Sequence, residues 1–179
     1  MGNRGGRIHT PETKTLGKRR WAGKQWIYCK LNFKNRQRDI MGQSYTELFF
    51  FDEASALAAG HRPCFECQRS RAQQFQETFS QALGLTHRLR APEIDQQLHH
   101  ERCKRENFRP LKAFDDALHN GIFIRQGAKV GVIQNEQFLP WAPSGYGPPI
   151  AINLETASVV TPPSIVEAIK KGFSAKILA

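Results

Sequence analysis

The sequence predicts an α+β fold: a small mixed sheet and helices around a Cys-x-x-Cys turn, followed by a C-terminal region of short β-strands. Three observations support this prediction. Runs rich in strand-forming residues, over 26–33 and 45–51, come before any helical pattern. From residue 53 to about residue 106, apolar residues recur at spacings of three and four, as on one face of a helix. After Gly121, β-prone runs alternate with turn residues.

The helices are predicted from their ends as well as from their apolar faces. Asp52 can accept hydrogen bonds from the first free amides of a helix over 53–59, and Gly60 suits the left-handed position that ends it. Further helices are predicted over 68–83, from Pro92 to about Glu106, over 115–119, and over 164–171, the last with Ser164 and Glu167 as a capping box.

The chain of 179 residues is long enough to bury a core. Residues 1–20 are rich in Gly, Arg and Lys without an apolar period, so we expect a flexible basic arm. Residues 21–179 are expected to form a single α+β domain, in which 21–110 hold the cysteine module and helices and 111–179 are β-rich. Neither a window of ~20 apolar residues nor the apolar stretch of a secretory signal is seen, so we expect a cytoplasmic protein.

Positive charge is concentrated at the beginning of the chain. Residues 1–40 contain eleven Lys or Arg against Glu12 and Asp39, a net charge of +9 out of +10 for the whole chain. This concentration of charge creates a positive field that attracts polyanions and strengthens phosphate contacts through counterion release. We therefore expect a nucleic-acid partner, with DNA as the first candidate. The alternative is a solvated arm or a contact with an acidic protein. The candidate phosphate-binding residues are Arg4, Arg7, Lys18, Arg19, Arg20, Lys24, Lys30, Lys34, Arg36, Arg38 and Arg62.

The cysteines indicate a metal site. Cys64 and Cys67 follow a Gly and a Pro in a Cys-x-x-Cys turn, which lets two thiolates converge on one tetrahedral ion. Disulfides are rare in a reducing compartment, and a redox dithiol normally follows a buried strand in a βαβ unit, which is not predicted here. We therefore expect Zn²⁺ at this turn.

A structural zinc needs four ligands, so two more must come from elsewhere in the chain. Cys29 is the first choice, because it lies in an apolar, strand-like run. On the predicted helix after Pro92, His99 and Cys103 are four residues apart and project from one face, so either can supply the fourth ligand. Asp95, one turn earlier, is expected to orient the imidazole of His99.

The segment LFFFDEASALAAGHRPCFEC, residues 48–67, resembles the Ada-type zinc-binding N-terminal domain of bacterial DNA methylphosphotriester repair proteins. The resemblance extends upstream to the run Ile27-Tyr28-Cys29-Lys30 and covers about residues 26–70. It implies that Cys29 corresponds to the zinc ligand that accepts a methyl group, and that Cys64 and Cys67 correspond to the second cysteine pair. The remaining cysteine of the family is replaced here by Phe33.

The replacement of that cysteine by Phe33 affects the charge of the zinc site and therefore the reactivity of its thiolates. Four thiolates give zinc a net charge of −2 and an electron-rich sulfur, whereas an imidazole in place of one thiolate lowers that charge to −1. His99 as fourth ligand therefore favours a structural zinc, and Cys103 preserves methyl acceptance.

Three functions follow from these observations. The leading hypothesis is a zinc protein that binds nucleic acid, with DNA as the expected partner. The second is a stoichiometric DNA methylphosphotriester methyl acceptor in which Cys29 is the catalytic residue. The third is a zinc protein that does not bind DNA, either an interaction module or a hydrolase with a zinc-bound water, which requires an open coordination position.

Overall fold

The computed structural model describes residues 1–37, 39–103, 109–111 and 118–178. Within them the chain forms helices and several β-sheets, which confirms the predicted α+β class. The helices are α1 (Glu53–Ala58), α2 (Arg69–Ala82), α3 (Ala91–Cys103) and α4 (Pro163–Lys170). The strands are β1 (Gly2–Arg4), β2 (His9–Thr10), β3 (Thr15–Leu16), β4 (Trp26–Tyr28), β5 (Arg62–Pro63), β6 (Arg109–Pro110), β7 (Phe123–Gln126), β8 (Lys129–Gln134), β9 (Gln137–Ala142), β10 (Gly145–Tyr146) and β11 (Ser158–Val159).

A three-stranded sheet in the order β1-β4-β5 carries the cysteine module. Strand β1 pairs with β4 in antiparallel orientation, and β4 pairs with β5 in parallel, with Tyr28 opposite Pro63. The expectation of a flexible basic arm over residues 1–20 is therefore corrected for residues 2–9. Gly2–Arg4 form an edge strand, and Asn3, Ile8 and His9 are buried.

The C-terminal part forms a larger antiparallel sheet in the order β10-β9-β8-β7-β11-β6. This agrees with the short strands predicted after Gly121. Gly131 in β8 is needed for this packing, because a Cβ atom there would lie 2.0 Å from the carbonyl oxygen of Leu139 on β9.

The cap of α1 is as predicted. Asp52 Oδ1 accepts a hydrogen bond from the backbone N–H of Ser55 at 2.8 Å, and Ser55 Oγ accepts one from the N–H of Asp52 at 3.0 Å. Gly60, with φ of +75°, follows the helix in the left-handed region. The aromatic run 45–51 contributes a single β-bridge, between Leu48 and Gly2, rather than a full strand.

The capping box predicted at Ser164 is wrong. Helix α4 begins after Pro162, whose side chain cannot cap it, and the Ser164 hydroxyl instead binds the carboxylate of Glu101 on α3. Most of the short helix predicted over 115–119 lies outside the described residues.

One cluster of buried apolar side chains connects the two parts of the chain. It includes Leu57 of α1, Phe75 and Phe79 of α2, Ile133 of β8 and Ile165 of α4. Because α1 and α2 flank residues 59–68 and both belong to this cluster, the core holds the Cys-x-x-Cys turn in position.

Candidate metal centre

Three cysteines converge at one end of the β4–β5 pair. Tyr28 and Pro63 are partners in parallel register, so the residues that follow them, Cys29 and Cys64, leave the two strands side by side. The N–H of Cys64 donates to the carbonyl oxygen of Tyr28 at 3.0 Å, which fixes this relation. Cys67 returns to the same place through the turn before α2. The three sulfur atoms lie within 4.8 Å of one another and form a group that could hold a metal ion.

The three thiols differ in exposure. Cys64 and Cys67 are buried, whereas Cys29 is only partly so. The Sγ atom of Cys67 accepts a hydrogen bond from the backbone N–H of Lys30 at 3.4 Å. The Gln68 side chain donates to the carbonyl oxygen of Tyr28 at 3.0 Å and so ties the end of β4 to the start of α2. These bonds hold the sulfur atoms in a preformed arrangement.

The cluster favours deprotonation of one thiol. A hydrogen bond from Cys29, together with the backbone N–H groups of Cys67 and Glu66, lowers the pKa of Cys64 to about 5. The same bond to Cys64, reinforced by burial, raises the pKa of Cys29, and burial is the main cause of the raised pKa of Cys67. Such a thiolate is the form that binds a metal ion.

The predicted fourth ligands lie elsewhere. Within the described part of the chain, neither His99 nor Cys103 belongs to the sulfur group. The His99 ring packs edge-on against Trp21 with centroids 5.5 Å apart, and its Nε2 lies 3.5 Å from the Cys103 sulfur. Both residues line a separate cavity of about 660 Å³. The expectation that either one completes the site is therefore not met.

Asp95 also has a different partner from the one expected. Its carboxylate accepts two hydrogen bonds from the guanidinium of Arg62, each of 2.8 Å. The Arg62 side chain is 2% exposed. The assignment of Arg62 to phosphate binding is therefore wrong, because its charge is buried and already paired. Asp95 anchors β5 instead of orienting His99.

A cavity of about 260 Å³ opens over the sulfur atoms. Its wall is largely apolar and includes Phe33, the residue at the position of the missing cysteine in the Ada-type resemblance. Lys30 and Arg36 also line it, and Arg36 forms an ion pair with Glu66. Among the described residues, the sulfur group consists of three thiols and faces this cavity.

Glu47 is a candidate site residue that the sequence analysis did not identify. It lines the same cavity, is 5% exposed, and its Oε2 accepts a hydrogen bond from the N–H of Met41 at 2.9 Å. Its Oε1 is buried and has no hydrogen-bond partner among the described residues. In the sequence, the signal for this role is that Glu47 is the single carboxylate within the apolar run 45–51.

The other basic candidates occupy different environments. Exposed positions are taken by Arg7, Lys18, Arg19, Arg20, Lys24, Lys30, Lys34 and Arg36. Arg4 is partly buried, with its guanidinium 4.3 Å from the centre of the Trp26 ring, and Arg102 lies 4.2 Å from the same ring. Arg38 lies outside the described residues. Most of the predicted phosphate-binding residues are thus available to a partner.

The fold and the site define an α+β protein with a group of three cysteine thiols that could hold a metal ion. No protein-family model, curated protein or solved structure matches the chain. The resemblance to the Ada-type domain therefore stays a prediction. None of the described helices has both the length and the apolar character required to cross a membrane.

Proposed function

We propose that this chain is a zinc-binding protein that binds nucleic acid, with DNA as the expected partner. The observation that carries the proposal is the convergence of Cys29, Cys64 and Cys67, whose sulfur atoms lie within 4.8 Å of one another. Ligands at the usual Zn–S distance of about 2.3 Å on a tetrahedral ion are about 3.8 Å apart, so only a small contraction is needed. Soft thiolate ligands favour zinc over Mg²⁺ or Ca²⁺.

Binding to nucleic acid is supported by the position of the basic residues. Lys30 and Arg36 line the cavity next to the thiols. Lys18, Arg19 and Arg20 are exposed and consecutive, and no ion pair of their side chains is found among the described residues. A phosphate backbone that contacts this surface releases counterions, which supplies affinity without sequence readout.

Metal stoichiometry tests the zinc site. The wild type should retain one zinc ion per chain after gel filtration, and Cys29→Ser, Cys64→Ser and Cys67→Ser should each lose most of it. His99→Ala and Cys103→Ser are matched controls and should retain it, because their side chains lie in the other cavity. Zinc lost from His99→Ala would contradict the assignment.

Salt dependence tests the nucleic-acid partner. A triple variant, Lys18→Gln with Arg19→Gln and Arg20→Gln, should weaken duplex DNA binding. It should also flatten the plot of log K against log salt by about 0.9 for each phosphate that the variant no longer neutralises. A control with the same charge change, Lys129→Gln with Lys171→Gln and Lys176→Gln, alters three exposed C-terminal lysines and should leave the slope in place. Wild-type binding that does not respond to salt would refute the proposal.

The exposure of Cys29 favours a second candidate function, stoichiometric methyl acceptance. Cys29 is the most exposed residue of the group and lines the cavity. Ligation to the zinc ion would deprotonate Cys29, and its thiolate would attack the methyl carbon of a neutral DNA phosphotriester. An S–C bond forms, the C–O bond breaks, and the phosphodiester anion leaves. Incubation of the zinc-loaded protein with methylated DNA should add one methyl group to the intact mass in the wild type and none in Cys29→Ser; an unchanged wild-type mass would exclude this function.

A further inference from the structure

We infer that Glu47 serves the fourth coordination position of the metal centre, where its carboxylate accepts a hydrogen bond from a water molecule or another small donor bound to the ion. The inference rests on the proposed zinc site and deepens it. It makes the centre one with an exchangeable ligand rather than a closed structural site.

The first observation is the unpartnered oxygen of Glu47. The residue is 5% exposed, and Oε1 has no hydrogen-bond partner among the described residues, whereas Oε2 is satisfied by Met41. Burial of an acceptor without a donor is energetically unfavourable, and more so when the acceptor is charged. Such a group favours a bound molecule that can donate a hydrogen bond to it.

The basic side chains of the same cavity do not supply that donor. Arg36 pairs with Glu66, and none of the ion pairs among the described residues includes Glu47. Because no described residue supplies the donor, we assign it to a molecule that enters the cavity.

The second observation is the composition of the sulfur group. Three cysteines converge, and the described residues offer no His, Asp, Glu or further Cys within 4.8 Å of all three sulfur atoms. Phe33 lines the cavity at the point where the Ada-type resemblance has a cysteine. The carboxylate oxygens of Glu47 are also outside this group, so they lie too far away for direct ligation together with the thiols in the present arrangement.

The cavity has room for the missing ligand. Its volume of about 260 Å³ exceeds the share of a single water molecule, which is about 30 Å³ in the liquid. A ligand on a thiolate-bound cation is polarised, so its O–H or N–H becomes a stronger hydrogen-bond donor to the carboxylate. The arrangement favours water and small neutral ligands that carry a donor, and it disfavours anions, which the Glu47 charge repels.

Cobalt substitution tests the inference by spectroscopy. The protein loaded with Co²⁺ should show a saturable change in its visible d–d bands on addition of azide or imidazole, because both can replace the fourth ligand. Glu47→Gln removes the negative charge but keeps an acceptor oxygen, so the dissociation constant for azide should fall about tenfold while that for neutral imidazole changes little. Glu155→Gln, an exposed carboxylate outside the cavity lining, should behave as the wild type.

The outcomes separate this inference from the proposed function. Failure to bind Co²⁺ or Zn²⁺ would refute the metal site, and the inference with it. Tight metal binding with no response to either probe, or equal azide affinities in the wild type and Glu47→Gln, would overturn the inference alone.

X-ray absorption on the zinc-loaded protein needs no change at Glu47, so it decides the case even if Glu47→Gln does not fold. Three sulfur ligands and one oxygen or nitrogen ligand, unchanged in His99→Ala, support the open position. Four sulfur ligands overturn it.

Discussion

The guanidinium of Arg62 and the carboxylate of Asp95 form a buried two-bond ion pair, with both hydrogen bonds at 2.8 Å. Arg62 lies in β5, two residues before Cys64, and Asp95 lies in α3. The pair therefore fixes the strand that delivers Cys64 to the group of three thiols. It also accounts for the burial of a large cation within the core.

Breaking this pair should destabilise the protein strongly. Asp95→Ala leaves the Arg62 charge buried without its partner, so we expect the free energy of unfolding in urea to fall by about 3–5 kcal/mol. Asp39→Ala breaks the exposed pair with Lys14 and should cost less than about 1 kcal/mol. Equal effects of the two substitutions would contradict the role given to Arg62.

Stability should depend on pH through His61. Burial, helped by the charges of Arg4 and Arg102, lowers the pKa of His61 to about 3 from an ordinary value of 6.5. Between these values the unfolded chain binds a proton that the folded chain does not, so stability is lost as the pH falls through this window. His61→Phe should remove a slope of up to about 1.4 kcal/mol per pH unit.

The matched control for His61 is Phe50→Leu. The Phe50 ring lies 4.6 Å from the His61 ring, centroid to centroid, but carries no titratable group. This variant should lower stability at every pH and keep the wild-type slope. A slope that survives in His61→Phe would assign the acid sensitivity to other groups.

Thiol accessibility should report metal removal. In the zinc-loaded protein we expect one thiol, the exposed Cys103, to react rapidly with Ellman's reagent. After treatment with a chelator all four cysteines should react, because the three ligands are no longer held by the ion. Cys103→Ser should abolish the rapid reaction. Two or more rapid thiols in the zinc-loaded wild type would contradict ligation by the cluster.

Asp52 should contribute more to the free energy of unfolding than its cap of α1 alone would. Besides capping α1, its Oδ2 accepts hydrogen bonds from the hydroxyl of Tyr146 at 2.8 Å and from the N–H of Leu178 at 3.2 Å. Asp52→Ala should lower the free energy of unfolding by about 2–4 kcal/mol, and Tyr146→Phe by about 1 kcal/mol. Asp52→Asn preserves a capping oxygen, so chemical denaturation should show an intermediate loss. A loss as large as that of Asp52→Ala would show that the charge, not the cap, matters.

Local signals in the sequence predicted the helices and the convergence of the sulfur atoms. Asp52 and Gly60 define the ends of a helical segment through short-range backbone chemistry, which sequence spacing records directly. The Cys64 and Cys67 turn is also local. The apolar, strand-like run around Cys29 predicts its place in the group, and the parallel register of Tyr28 and Pro63 supplies the physical reason.

Long-range pairing explains what the sequence did not reveal. Gly2–Arg4 have little intrinsic strand propensity and form β1 only because β4 offers a free edge. In the sequence, Arg62 next to the Cys-x-x-Cys turn looks the same whether it binds phosphate or forms a buried ion pair. Only the fold shows that Asp95 lies opposite it. The orphaned oxygen of Glu47 is likewise visible only once the cavity is formed.

The parallel pairing of β4 with β5 sets an order of events for the newly made chain. Cys29 and Cys64 are separated by 35 positions in sequence, so a ribosome must deliver the residues through Cys67 before one ion can meet all three thiols. Closing a loop of this length costs about 3 kcal/mol in chain entropy. At the proposed zinc site, capture of the ion would therefore fix the parallel pairing of β4 with β5.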